Sequence, residues 1–158
     1  NNKMISEFST LRDDEIEVLL NAPVYVAILI AGADGEIDKK EVSQALDLAQ
    51  GKQSREREQL IGYYKEVGTT FESKFFKLTE ELSNSVEERN STIISELRKL
   101  NHILPKVDHN FSVKLVASLK DMAKKVAGAS GGVLGYMSVS YEEAKLVELE
   151  MIKDPADY

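Results

Sequence analysis

Val24 to Glu41 reads VYVAILIAGADGEIDKKE, and the reading of this stretch decides the fold. From Val24 to Ala33 ten apolar or small residues run without a charge, and the acidic turn Asp34-Gly35-Glu36-Ile37-Asp38 follows at once. A helix needs about 20 apolar residues to span a bilayer. The run is too short for that and reads instead as a helix buried on nearly all sides. Its end places several carboxylates at one corner of a core.

Upstream, Thr10-Leu11-Arg12-Asp13 predicts the cap of a short first helix carrying Ile16, Val18, Leu19 and Leu20. Asn21 then caps a second helix, with Pro23 in its first turn, where a missing N–H costs little. That helix ends near Gly32. A third runs from Asp38 to about Ala49 and carries Val42, Ala45 and Leu46. Leu60, Ile61, Tyr64 and Val67 mark one face of a fourth segment, which Gly68 kinks or breaks. Phe71, Phe75, Leu78 and Leu82 recur at spacings of four, three and four, an amphipathic stripe. Ser85 with Glu88 forms a capping-box pattern. Ile93, Leu97, Leu100 and Leu104 follow at helical spacing until Pro105. Phe111 to Val126 predicts a further helix, and Ser140 to Ile152 the last. No useful length alternates with period two, so the expectation is an all-α chain. It is a single compact bundle of about seven helices around a buried central helix. Residues 1–10 read as an N-terminal extension and 11–158 as the helical domain.

Composition narrows the function classes. The 158 residues suit one domain with a real core. Cysteine is absent, which excludes disulfides, thiolate catalysis and cysteine-based zinc sites. This is compatible with a reducing compartment, and a cytoplasmic location is the expectation. A net charge of -7 repels phosphate backbones, so nucleic acid is not the expected partner. There is no signal-peptide pattern and no transmembrane run, so a membrane role needs another subunit. The start at Asn1 lacks an initiator Met, consistent with a trimmed chain.

A weak internal repeat is visible. Ala31-Gly32-Ala33-Asp34-Gly35 reappears as Ala127-Gly128-Ala129-Ser130-Gly131. Each copy ends a helical pattern and precedes a β-branched residue and a capping box: Ile37-Asp38 with Glu41, and Val139-Ser140 with Glu143. The two read as a pseudo-symmetric pair of helix–turn–helix corners.

These residues resemble the tellurite-resistance TerB family and its TerB-like relatives. The first signature is Val26 and Ala27, then Ala31, Ala33, Asp34, Gly35, Glu36 and Ile37, with Glu41 after them. The second is Ala129-Ser130-Gly131-Gly132-Val133-Leu134-Gly135, then Val139-Ser140 and Glu142-Glu143. The resemblance covers about Leu11 to Ile152. It implies a compact all-helical domain with an acidic corner, a link to stress responses, an affinity for divalent metal and no established enzyme class. Ser130 stands where the more acidic members carry an aspartate, so the second corner is not expected to bind metal.

The acidic turn has two open readings. Hard cations take several oxygen ligands at close range, and Asp34, Glu36, Asp38 and Glu41 supply carboxylates on a tight turn and one helical turn beyond. Oxygen-only chemistry selects calcium, magnesium or manganese. Aligned to an EF-hand loop, Gly35 and Glu41 take their places, but Ile30 and Gly32 fall on the first two ligand positions without a side-chain oxygen. Water must complete the shell, so binding is weak. The other reading is capping: Asp38 as N-cap, with Glu41 reaching back to the orphan N–H groups of the third helix.

Other motifs carry less. His102 and His109 lie seven apart with Pro105 between them and share no helical face. Gly131-Gly132 and Gly135 lack the strand that a phosphate loop needs. Asn90-Ser91-Thr92 fits the glycosylation sequon but sits within a helical pattern. Arg55 to Glu58 reads as a solvated face. The expected function is a non-enzymatic stress-response or protein-interaction module, with another protein as partner. The competing classes are a metal-dependent hydrolase using the acidic turn and a regulatory subunit of a membrane-associated complex.

Overall fold

A computed structural model describes residues 8–33, 43–48, 58–129 and 146–158. Among these, every regular element is helical. They are α1 (Asp13–Ala31), α2 (Glu58–Glu81), α3 (Val86–Arg98), α4 (Leu100–Ile103) and α5 (His109–Ala129), with 3₁₀ turns at Leu104–Lys106 and Pro155–Asp157. Residues 43–48 are also helical, and Ala45 there is buried. No helix among the described residues is long and apolar enough to cross a membrane.

The central helix is α1. It packs against α2, α3, α4 and α5. From Ala22 to Ala31 every residue except Tyr25 is buried, as the uncharged run requires. Where the sequence suggests two helices meeting at Asn21, the structure has one continuous helix with Pro23 in its interior. An interior proline leaves the carbonyl four residues earlier without its N–H donor. That carbonyl belongs to Leu19, and the buried Tyr63 hydroxyl donates to it at 2.6 Å. A side chain from α2 therefore supplies the hydrogen bond that Pro23 withholds, and the helix continues.

Tyr63 is itself fully enclosed. Its ring meets Tyr64 edge-on at 4.9 Å and Phe111 at 5.9 Å, and Phe111 meets Phe8 at 6.2 Å. Tyr64 shares a 2.7 Å hydrogen bond with Ser118 on α5. Burial, then the neighbouring Tyr64, pushes the Tyr63 phenol well above its ordinary range, so it remains a donor. Phe8 and Leu11 are each 1% exposed, so the packed core reaches back to residue 8.

Gly68 does not interrupt α2. Leu60, Tyr63, Tyr64, Val67, Phe71 and Phe75 are all buried on one continuous stripe. The stripe keeps its phase across Gly68, and its burial outweighs the roughly 1 kcal/mol that an interior glycine costs. At α3, Ser85 Oγ accepts from the Glu88 N–H as expected, but the return half of the box is relayed. The Ser85 N–H donates to Ser83 Oγ at 3.0 Å, and Ser83 donates to Glu88 Oε1 at 2.8 Å. Asp108 caps α5 by accepting from the Phe111 N–H at 3.0 Å. Leu115, Leu119, Met122 and Val126 are buried along that helix as their spacing predicts.

The last helix does not reach Ile152. Residues 148–151 form turns, and Leu149 takes a left-handed backbone at φ 50 while its side chain stays fully buried. The Asn101 amide holds the segment beyond, donating to the Met151 carbonyl at 3.0 Å and accepting from the Lys153 N–H at 2.8 Å. Leu149 and Ile152 are both buried three residues apart, which is why the pattern imitates a helix.

At its N-terminus, α1 begins after Arg12, whose backbone N–H donates to Glu15 Oε1 at 2.9 Å. The Glu15 carboxylate also pairs with Lys106, beyond α4. Asp13, Asp14 and Glu15 place negative charge in the first turn, where the helix dipole favours it.

Two outcomes follow from these contacts. Tyr63→Phe orphans a buried carbonyl and should lower stability by about 1–3 kcal/mol. In a Pro23→Ala background, position 23 regains its N–H, and the same substitution should cost less than half as much in a chemical-denaturation cycle. Equal costs in both backgrounds would show that the hydroxyl does not replace the missing donor. The second concerns Glu15, whose pKa lies below the usual 4.5, chiefly through the Lys106 hydrogen bond and then the Arg12 N–H. A depressed carboxylate stabilises the fold above its unfolded value and loses that contribution as pH falls through its folded value. Glu15→Gln should therefore melt below the wild type at neutral pH, with the gap closing as pH drops below 4.5. A gap unchanged down to acid denaturation would rule out the ionic contribution.

Candidate functional site

Asp34, Glu36, Asp38 and Glu41 lie outside the described residues, as do Ser130 to Ser140 and the Glu142-Glu143 pair. The approach to the acidic turn is described. The Gly32 N–H donates to the Ile28 carbonyl at 2.9 Å, and the Ala33 N–H to the Ile30 carbonyl at 3.4 Å. Gly32 has φ -108, a backbone open to other residues. Its carbonyl accepts from Arg89 Nη2 on α3 at 2.7 Å.

Arg89 is only 6% exposed. The last turn of α1 contains no basic residue of its own, although the partial negative charge at a helix C-terminus favours a cation there. Arg89 brings that cation from another helix and does so beneath the surface. It thus anchors the point from which the chain departs towards Asp34, two residues on. Sequence reasoning overlooked Arg89. The signal was present: Arg89, Ile93 and Leu97 fall at spacings of four, so Arg89 lies on the buried stripe of α3.

A second polar feature lies where α1, α2 and α3 diverge. It is a cleft of about 310 Å³. Val18, Asn21 and Tyr25 come from α1, and Lys74 and Leu78 from α2. Asp14, Glu17, Lys77, Glu81 and Glu96 form its charged border. Two of these charges are engaged: Asp14 pairs with Arg12 at 3.0 Å and Glu96 with Lys99 at 2.9 Å. Desolvation, followed by the nearby Glu96, Glu81 and Glu17 charges, raises the Tyr25 phenol above its ordinary value. Desolvation lowers Lys74, opposed by the Glu17 and Glu66 charges. Nothing in the helical spacing announced this cleft, because its residues come from three separate segments.

The two histidines are exposed and on different elements, His102 in α4 and His109 at the start of α5. Among the described residues, no three His, Asp or Glu side chains cluster closely enough to hold a metal ion. Asn90 of the sequon lies within α3 and is half-buried. No family model, no curated protein and no solved structure matches the chain.

Arg89→Leu should orphan the buried Gly32 carbonyl and lower unfolding free energy by about 1–3 kcal/mol. The exposed Arg98→Leu, on the same helix, should stay within about 0.5 kcal/mol of wild type. Similar small effects for both in urea titrations would remove Arg89 from its anchoring role.

Proposed function

We propose that the chain is a non-enzymatic helical interaction module of TerB-like type, serving a stress response, with a weak divalent-cation site at the turn bearing Asp34, Glu36, Asp38 and Glu41. The observation that carries this reading is the Arg89–Gly32 hydrogen bond. A buried side chain is committed to holding the end of the central helix immediately before the acidic turn. Such an anchor restricts where the turn begins, which favours a ligand set drawn from consecutive residues.

The anchor also bears on affinity. A guanidinium near the start of the turn disfavours an added cation by like-charge repulsion. Together with the missing side-chain oxygens at Ile30 and Gly32, this supports a dissociation constant of roughly 10⁻⁴–10⁻³ M, the range of low-affinity calcium sites. Several polar groups of the core have structural partners: Tyr63 with Leu19, Tyr64 with Ser118, and Ser112 with the Leu104 carbonyl. These uses favour a binding module over a catalyst.

Calcium titration tests the reading. Wild-type protein should give saturable heat in the stated range and a melting temperature that rises with calcium, because only the folded state binds. Asp34→Asn should lose both responses. No heat and no melting shift at several times the expected constant, or equal shifts in both proteins, would leave the turn as a helix cap alone. Turnover of phosphate or ester substrates that Asp34→Asn abolishes would overturn the non-enzymatic reading.

A further inference from the structure

Among the described residues, Leu149 alone combines a side chain with a positive φ, at 50. A left-handed backbone disfavours such a residue by roughly five- to thirtyfold in an equilibrium. Leu146 and Val147 are helical, and the chain leaves the helix at Glu148. Nothing local requires it to do so. Leu146 to Lys153 reads LVELEMIK, rich in strong helix formers and without glycine or proline. The first residue that stops a helix is Pro155, which also restricts Asp154 before it.

A backbone that contradicts its local preference needs an opposing tertiary contact. Asn101 on α4 supplies one. Its Nδ2 donates to the Met151 carbonyl at 3.0 Å, and its Oδ1 accepts from the Lys153 N–H at 2.8 Å. Farther on, Pro155 is buried, and its 3₁₀ turn packs against α5.

Turn and helix exclude each other here. In a helix continued to Lys153, the Lys153 N–H donates to the Leu149 carbonyl, four residues back. It then cannot donate to Asn101. In the structure that carbonyl accepts instead from the Ile152 N–H at 3.0 Å. Leu149 and Ile152 are buried three residues apart, so one helical face would carry both, and their burial does not forbid the helix. A neutral hydrogen bond shifts an equilibrium by roughly two- to tenfold. The two bonds from Asn101 therefore match the strain at Leu149 in size. We propose that residues 148–153 form a two-state clasp, closed as the turn fastened by Asn101 and open as a helix in which Leu149 relaxes. A helix carries the chain along its own axis, so in the open state the Pro155–Asp157 turn leaves its place on α5. Opening frees the Asn101 amide and uncovers the part of α5 against which that turn packs.

Carbon-13 relaxation-dispersion NMR of the full chain tests this. The wild type should show a minor state, on the order of 1% populated, with helical Cα shifts from Glu148 to Ile152. Asn101→Ala should raise that population about tenfold while leaving the shifts of α1 and α2 unchanged. His102→Ala, exposed on the same helix, should leave it at the wild-type level. Should Asn101→Ala fail to fold, the wild-type measurement decides alone. A folded Asn101→Ala protein with the wild-type population would overturn the proposal. So would a minor state with random-coil shifts, an equal rise in His102→Ala, or no exchange from Glu148 to Ile152 in the wild type.

Discussion

The Tyr63 hydroxyl on the Leu19 carbonyl is the contact on which the rest of the fold depends. Pro23 lies within the central helix and cannot donate to that carbonyl. Left unpaired in a dry core, the carbonyl would favour a break in α1. With the phenol in place, α1 remains one helix, and its buried upper half can serve as the common surface for α2, α3, α4 and α5. The same ring brings Tyr64, Phe111 and, through Phe111, Phe8 into an aromatic cluster that joins α2, α5 and the start of the described chain. One hydrogen bond thus couples secondary structure to packing.

Charge is placed with similar economy at the two ends of α1. At the N-terminus, Glu15 satisfies the Arg12 N–H and takes Lys106 from beyond α4. At the C-terminus, buried Arg89 from α3 binds the Gly32 carbonyl. Glu15 and Arg89 each oppose the helix dipole with the correct sign, but only Arg89 comes from a distant part of the chain. At its C-terminal end the central helix is thereby tied to α3, which also packs along its side. The described chain leaves α1 at the Arg89 end, while the mixed-charge cleft opens along the flank.

Several features could be read from the sequence because they depend on local periodicity. The all-helical class, the burial of Ile28 and its neighbours, and the α5 stripe of Leu115, Leu119, Met122 and Val126 follow from 3.6-residue spacing. So does the Ser85 cap, although the relay through Ser83 does not. The carboxylates from Asp34 to Glu41 stand out in the sequence as a run that follows a buried helix. The choice between capping and cation binding was not, since sequence adjacency alone does not separate carboxylates that cap a helix from those that surround an ion.

Tertiary structure decided what spacing left open. Proline and glycine look like interruptions in one dimension, yet a phenol forty-four residues away repairs Pro23, and continuous burial carries α2 through Gly68. Arg89 reads as one more surface charge until the fold brings it beneath the end of α1. Leu149 and Ile152 share helical spacing, but the Asn101 amide captures the backbone on either side of Ile152, where the chain is no longer helical. The cleft draws its groups from three helices. In each case the deciding partner is remote in sequence. The chain alone determined which faces must be buried. Only the packed structure determined which remote donor, charge or side chain meets each exposed backbone group.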